Sequence, residues 1–252
     1  TAGVTFAMYE IFGRQIGAEV VKTPSPTHKM EQFLELYKKY RPELIFICTP
    51  NNPIGEAVDR REVEWFLDGI GEETFVVIDG AYQEFAQFKD SKKGIPPKSL
   101  IHRPNLLYTG TFSKAYGLGG ARVGYGIGNR EVIKALEKLR PPFNISSLSY
   151  WAAVEALRHW EWVQSYLKLN FQEMERYQQL ADRLGFRFEP SYTNFILIYF
   201  HRPEELYHHL FRRGIILRNM GSYGLPALRI TIGKPEENSR VIEEIERFYR
   251  RG

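Results

Sequence analysis

The sequence contains a single cysteine, Cys48, in 252 residues. One thiol cannot form an internal disulfide, so the fold requires no oxidising compartment and the cytoplasm is the expected location. Cys48 stands in the apolar run ELIFICTP, and we interpret it as a small buried side chain rather than a nucleophile. The chain also lacks an apolar run near the roughly 20 residues that a membrane helix needs, and it shows no signal peptide.

Blocks of one charge are absent as well. The chain has 34 basic and 30 acidic residues, which gives a net charge of +4. Because these charges are mixed along the sequence, nucleic-acid binding is not expected, whereas small anionic ligands remain compatible with the mild excess. The histidines show no metal-ligand spacing: His208 and His209 are adjacent on a predicted helix and point apart, so we expect no metal site there.

Short apolar and β-branched runs alternate with amphipathic segments. The segments KMEQFLELYKKY and DRREVEWFLDGI have helical spacing, and the second opens with Asp59 and Glu62 in capping-box positions. Unbroken apolar strands between helices predict an α/β fold with a mostly parallel sheet covered on both faces. Ligands then bind beyond the carboxyl ends of the strands. The predicted strands are AEVVKTP, ELIFICTP, TFVVIDG, NLLYTGTF and ARVGYGI.

The pattern changes after about residue 141. Helical spacing dominates the next stretch, and its apolar stripe indicates core packing in a long helix. Beyond it, strand-like and helix-like segments alternate in a smaller α+β unit. We therefore predict a large α/β domain over residues 1–145, connecting helices over 146–185 and a small domain over 186–252.

Two of the strand ends carry polar groups. The segment CTPNNPIGE contains Asn52 among residues that favour turns. An ordinary loop without a functional role would also explain this composition. VVIDGAYQEF ends a buried strand at Asp79, and Tyr82 lies three residues further on. A buried carboxylate is costly unless it meets a cation or hydrogen-bond donors. Its partner could be a magnesium ion or a protonated ring nitrogen.

The third strand end, TFSKAYGLGGARVGY, places Lys114 beside hydroxyl groups and eight residues before Arg122. It lacks the glycine–lysine spacing of a nucleotide-binding P-loop. A lysine that forms a Schiff base fits better, because burial and nearby cations would lower its pKa from the usual ~10.4. Thr111, Ser113 and Arg122 would then hold a cofactor phosphate.

The ordered set NNP-x-G, D-x-x-Y and T-x-S-K with its arginine resembles the pyridoxal-phosphate aminotransferases of the aspartate-aminotransferase fold. Four further segments make the chain similar to the histidinol-phosphate aminotransferases over nearly its whole length. These segments are TFSKAYGLGGARVGY, LRPPFNISSLS, PSYTNFI and SYGLPALRITIGKPEEN.

This resemblance implies a role for each matching residue. Lys114 would hold pyridoxal 5'-phosphate covalently and serve as general base, while Asp79 would keep the pyridine nitrogen protonated. Asn52 and Tyr82 would bind the ring oxygen. Phe6 would stack on the ring, although a core phenylalanine would also explain it.

For the substrate, the resemblance implies that Arg229 binds an anionic group, with Arg218 and Asn144 nearby. Surface charge is the alternative for Arg218. The implied reaction is amino transfer between glutamate and imidazole-acetol phosphate, by a homodimer. Threonine-phosphate decarboxylation, aromatic aminotransfer and a non-catalytic cofactor-binding remnant remain open. The resemblance also implies an upstream segment before TAGVTF, so we expect the 252-residue chain alone to be nearly inactive.

Overall fold

The computed structural model describes residues 1–250, so the last two positions of the predicted small domain lie outside the described residues. Helices and strands alternate through the first part of the chain, and helices dominate the middle. The helices are α1 (Met8–Gln15), α2 (Met30–Tyr40), α3 (Arg60–Asp68), α4 (Gln83–Lys89), α5 (Arg130–Leu139), α6 (Ser147–Arg158), α7 (Trp160–Leu184), α8 (Pro203–Phe211) and α9 (Pro235–Arg250). The strands are β1 (Leu44–Cys48), β2 (Phe75–Asp79), β3 (Leu106–Thr111), β4 (Gly124–Gly128), β5 (Phe195–Tyr199), β6 (Arg218–Asn219) and β7 (Ala227–Thr231).

The first sheet has the order β1-β2-β3-β4. Strands β1, β2 and β3 are parallel, and β4 runs antiparallel to β3. The register places Cys48 beside Asp79, and Asp79 beside Thr109. The mostly parallel α/β sheet is therefore confirmed, and the carboxyl ends of its three parallel strands meet at one edge.

One face of this sheet is buried under α2 and α3. Ile45, Ile47, Val76 and Ile78 from alternate positions of β1 and β2 lie in the same core as apolar side chains of both helices. The helix α3 begins as predicted, because Asp59 accepts a hydrogen bond from the N–H of Arg61 at 2.9 Å. The reciprocal capping-box bond from the Glu62 side chain is not made among the described residues.

The predicted strand AEVVKTP is wrong for this structure, because residues 18–24 form no strand. Their backbone bonds to Gly13 and to the first residue of the chain, as in the bond from Thr23 N to Thr1 O at 3.0 Å. A cavity of about 520 Å³ separates Ala18–Val21 from β1. Without a neighbouring strand on that side, the apolar run has no ladder to join.

The second sheet is antiparallel, with the order β5-β7-β6. It packs against α7, α8 and α9 around a separate core. The predicted stripe on α7 is confirmed as core packing, since Val163, Leu167, Met174 and Tyr177 are all buried. No helix within residues 1–250 is long and apolar enough to cross a membrane.

Candidate active site

Asp79 lies at the last position of β2 and is half-buried. Its Oδ1 accepts a hydrogen bond from the N–H of Ala81 at 3.0 Å, and its Oδ2 accepts one from the hydroxyl of Tyr9 at 2.5 Å. No lysine or arginine within residues 1–250 forms an ion pair with it. The carboxylate is therefore held in place by two neutral donors and remains able to face a cation.

In the described part of the chain, no three side chains of histidine, cysteine, aspartate or glutamate cluster as metal ligands would. The two partners that the sequence left open for Asp79, a magnesium ion and a protonated ring nitrogen, stay predictions.

Tyr82 and Lys114 come together near this carboxylate. Tyr82 immediately precedes α4, and its buried ring packs edge-on against Phe195 at 5.5 Å. The ammonium group of Lys114 lies 5.4 Å from the centre of the Tyr82 ring. Burial raises the pKa of Tyr82 to about 12, so its hydroxyl stays protonated and can donate a hydrogen bond.

The surroundings of Lys114 lower the pKa of its ammonium group. Burial lowers the pKa of this lysine, the guanidinium groups of Arg229 and Arg122 lower it further, and Asp79 opposes them. A lysine can attack a carbonyl carbon or accept a proton only when its amine is uncharged. The structure thus supplies the pKa shift that the sequence predicted, in the same direction and with Arg122 among its causes.

The turn after β3 brings the predicted phosphate-binding groups together. The Thr111 hydroxyl accepts a bond from Ser113 N at 3.1 Å. Arg122 adopts a left-handed backbone conformation with φ of 55° and reaches back across the turn. Its Nη1 donates to Gly119 O at 2.8 Å and lies 3.5 Å from Ser113 Oγ. The exposed guanidinium and the two hydroxyls therefore line one turn beside Lys114.

Asn52 and Arg229 join the two sheets at the site. Asn52 follows β1, Arg229 lies on β7, and Arg229 Nη1 donates a hydrogen bond to Asn52 Oδ1. The guanidinium also lies 4.7 Å from the centre of the Phe195 ring. Its Nε is buried and has no hydrogen-bond partner among the described residues. Burial lowers the pKa of Arg229, which shows how poorly its charge is solvated.

Arg218 stands directly opposite Arg229 in the β6–β7 pair. Directly paired residues of an antiparallel sheet project from the same face, and like charges placed there repel each other. Arg218 accordingly contributes to the lowered pKa of Arg229. Two neighbouring guanidinium groups, one with an unused buried donor, form a region suited to an anion.

Two predicted residues are not brought into this cluster by any contact. Asn144 lies in an exposed stretch between α5 and α6 and makes no side-chain hydrogen bond to the other predicted residues in the described part of the chain. Phe6 is 38% exposed and touches only Tyr9 edge-on at 5.6 Å among the aromatic rings. Their roles stay predictions.

Sequence reasoning missed Tyr9. Tyr9 lies three residues after Phe6, which was the residue selected from this part of the sequence. Its ring stacks on Phe46 of β1 at 4.5 Å with an interplanar angle of 11°, and this stack directs the hydroxyl to Asp79. An aromatic residue in an amphipathic helix gives no local signal of such a bond.

A second missed group supports the Asn52 loop. Asn51 is fully buried and bonds to Val4 O and to Glu56 Oε1, both at 2.9 Å. His28 Nδ1 lies 3.1 Å from the same carboxylate oxygen, and its Nε2 accepts from Cys48 N at 3.1 Å. These bonds fix the loop that carries Asn52 against the end of β1.

Comparison with known proteins agrees with this arrangement. The family model of aminotransferase class I and II matches residues 2–245. The histidinol-phosphate aminotransferase of Aliarcobacter butzleri is 52% identical over 246 residues, covering 96% of this chain and 67% of that protein. Its counterpart in Campylobacter lari is 53% identical over 252 residues, covering 98% of this chain and 69% of that protein.

A solved structure has the same fold. The crystal structure of histidinol-phosphate aminotransferase from Sinorhizobium meliloti, in complex with pyridoxal-5'-phosphate, superposes with a TM-score of 0.86 at 24% identity. The superposition covers 97% of this chain and 69% of the solved chain. The chain therefore belongs to the class I and II aminotransferase family, among the histidinol-phosphate aminotransferases.

Proposed function

We propose that the protein transfers an amino group between glutamate and imidazole-acetol phosphate, with pyridoxal 5'-phosphate as cofactor. The observation that carries the proposal is the meeting of Lys114, whose pKa is lowered by burial and two arginines, with the strand-end carboxylate Asp79. The curated relatives at about half identity bear the name of this activity.

The residues present fit the cofactor. Lys114 supplies an amine whose pKa is lowered, Asp79 supplies a fixed carboxylate, and the turn at Arg122 supplies donors for a phosphate. The unpartnered Nε of Arg229 adds a buried donor that calls for an anion. When bound, pyridoxal phosphate supplies a carbonyl carbon that reacts with amines and a ring that withdraws electrons from it.

The side chains of this protein supply the proton transfer and the contacts that hold the cofactor ring. Lys114 would hold the cofactor through its amine and would serve as the general base that moves the proton of the substrate carbon. Asp79 would keep the pyridine nitrogen protonated. Asn52 and Tyr82 would donate hydrogen bonds to the ring oxygen, and Phe6 would cover the ring.

Substrate recognition falls to the two arginines. Arg229 and Arg218 share one face of the second sheet, so each can bind a carboxylate or a phosphate through the planar fork of its guanidinium group. Glutamate offers a carboxylate, and the other substrate a phosphate. One anion region thus serves both halves of a ping-pong reaction. The proposal includes Asn144 on the sequence resemblance alone.

We also propose that the protein is a homodimer. Large apolar side chains are exposed from the end of α5 to the first turn of α6, including Leu139 at 81%, Phe143 at 100% and Leu148 at 85%. An apolar surface of this kind favours burial against another chain. Light scattering after gel filtration checks the dimer, and a monomer at micromolar concentration would contradict it. The lone buried Cys48 supports a reducing cytoplasmic location.

The activity is tested on the natural gene product loaded with pyridoxal phosphate. We expect amino transfer from glutamate to imidazole-acetol phosphate, and a Lys114→Ala variant that retains less cofactor and shows no turnover. Borohydride reduction followed by peptide mapping should place the pyridoxyl label on Lys114. Carbon dioxide release from threonine phosphate, faster transfer to aromatic oxo acids, or cofactor binding without any turnover would each overturn the proposal.

A further inference from the structure

The carboxylate of Asp79 has a notably small set of partners. It is half-buried, yet no basic side chain within residues 1–250 pairs with it. Its hydrogen bonds come from Ala81 N and the Tyr9 hydroxyl. The first is a local bond two residues along the chain, whereas the second comes from a helix 70 residues earlier. Tyr9 is thus the side chain that fixes the carboxylate from outside its own turn.

The hydroxyl of Tyr9 can act only as a donor toward this carboxylate. Burial raises its pKa far above the usual value, and the neighbouring Cys48 and Asp79 raise it further. The thiol of Cys48 is also neutral, because burial raises its pKa to about 12. A protonated phenol beside an ionised carboxylate forms a charge-assisted hydrogen bond, which is stronger than a neutral one.

The position of Tyr9 is itself fixed by packing. Its ring is stacked on Phe46 of β1 and meets Phe6 edge-on. The same ring therefore contacts the side chain proposed to cover the cofactor and bonds to the carboxylate proposed to hold the pyridine nitrogen. A shift of Tyr9 would move both together.

We propose that Tyr9 is a positioning residue of the reaction: its hydroxyl orients Asp79 and stabilises its charge, so that the pyridine nitrogen of the cofactor keeps its proton. The inference rests on the proposed function, because only a bound ring gives Asp79 a partner to hold. Tyr9 touches Asp79 and not the reacting atoms. Its removal should slow the chemical step and leave glutamate binding nearly unchanged.

The test is the variant Tyr9→Phe in the natural gene product loaded with pyridoxal phosphate. Phenylalanine keeps the stacked ring on Phe46 and removes only the hydroxyl. We expect kcat to fall about tenfold with KM for glutamate changed less than twofold, since one charge-assisted bond is lost. The pH midpoint of the cofactor's visible absorption should rise by about half a unit or more, because a less firmly protonated ring withdraws less charge.

The matched control is Tyr37→Phe. Tyr37 is buried, and its hydroxyl donates to the carboxylate of Glu73 at 2.7 Å and accepts bonds from Arg41 and Gly71. The variant therefore loses a phenol–carboxylate bond, with these two further bonds, away from the site. It should lower the melting temperature without moving the pH midpoint. A double-mutant cycle adds a second readout, because Tyr9→Phe should have little further effect on kcat when Asp79 is already replaced by asparagine.

The outcomes separate this inference from the proposed function. If the parent protein fails to bind pyridoxal phosphate or to transfer amino groups, the proposed function is wrong. If the parent is active and Tyr9→Phe keeps its kcat and its pH midpoint, the role of Tyr9 is wrong. Equal midpoint shifts in Tyr9→Phe and Tyr37→Phe, or additive losses in the double variant, would also overturn it.

Discussion

Arg229 and Arg218 differ in burial although they stand side by side. Arg229 is half-buried with an unpartnered Nε, whereas Arg218 is exposed. A buried guanidinium contributes more to anion binding than an exposed one, because water competes less for the anion. The two residues should therefore affect the two substrates unequally.

We expect Arg229→Ala to raise KM for both glutamate and the phosphorylated substrate by roughly tenfold to a hundredfold, the value of one charge-assisted hydrogen bond or two. Arg218→Ala should weaken binding of the phosphorylated substrate more than binding of glutamate. Steady-state kinetics with each substrate measure this. Arg212→Ala, at an exposed position after α8, is the control and should change neither KM. Small and equal effects from all three variants would show that the paired arginines are surface charge.

For individual residues, the sequence predicted the polar side chains at the strand ends. It did not predict the residues that hold them in position. Lys114, Asp79 and Asn52 were found because parallel strands present their carboxyl ends at one edge, so the position within the strand is informative. Tyr9 was missed because its bond depends on how α1 lies against β1. Asn144 was selected from its neighbouring sequence alone, and the structure places it in an exposed stretch.

Among the helices and strands, α4 carries a buried carboxyl group, that of Glu84, on its first turn. The Oε2 of Glu84 is buried and unpartnered among the described residues, and burial raises the pKa of this carboxyl from 4.5 to about 7. The folded chain thus binds a proton more tightly than the unfolded chain. The free energy of unfolding should fall as the pH rises from about 4.5 to 7, where only the unfolded state ionises freely.

We expect Glu84→Gln to remove this pH dependence in the 252-residue chain. Glutamine cannot ionise, so the variant should gain stability over the parent as the pH rises from 5 to 8, by at most about 3 kcal/mol. Urea denaturation at both pH values measures the difference. Glu72→Gln replaces an exposed carboxyl and should give no such gain. A gain that is the same at pH 5 and pH 8 would contradict the role of ionisation.

The strands show where sequence patterns are sufficient and where they are not. The runs that became β1, β2, β3 and β4 were all predicted, since apolar and β-branched residues favour strands. The run AEVVKTP has the same composition and forms none. A strand needs a partner for its hydrogen bonds, and composition does not reveal whether one is adjacent. The antiparallel direction of β4 was likewise not readable from its residues.

For the molecule as a whole, the two sheets meet through Gly55 and Ser191. Gly55 has φ of +102°, and a Cβ built there would lie 2.6 Å from Ser191 Oγ. Its carbonyl accepts a hydrogen bond from Tyr192 N at 2.8 Å. Only glycine allows both this backbone conformation and this close approach. The contact holds the loop of Asn52 against the segment that leads into β5.

We expect Gly55→Ala to lower the free energy of unfolding by about 2–4 kcal/mol, because the alanine is both strained and overpacked. Gly17→Ala is the matched control: Gly17 also has positive φ, +78°, but nothing lies within 4 Å of its Cβ position. It should cost only about 1 kcal/mol, the cost of the backbone conformation. Urea denaturation of both variants separates strain from crowding. Equal decreases in the free energy of unfolding would mean that Ser191 moves aside at little cost.

The two edges of β1 differ, because one pairs with β2 and the other faces the cavity. Glu43 O and Thr49 N bond toward β2, so the amides of odd-numbered residues face the sheet, whereas Cys48 N faces the other way and bonds to His28. By the same alternation, the amide of Phe46 opens onto the cavity. In hydrogen–deuterium exchange, Phe46 should take up deuterium faster than Ile45 and Ile47 on either side of it. Slow exchange at Phe46 would mean that an extended segment occupies the cavity, so this one amide reports on whether the sheet continues past β1.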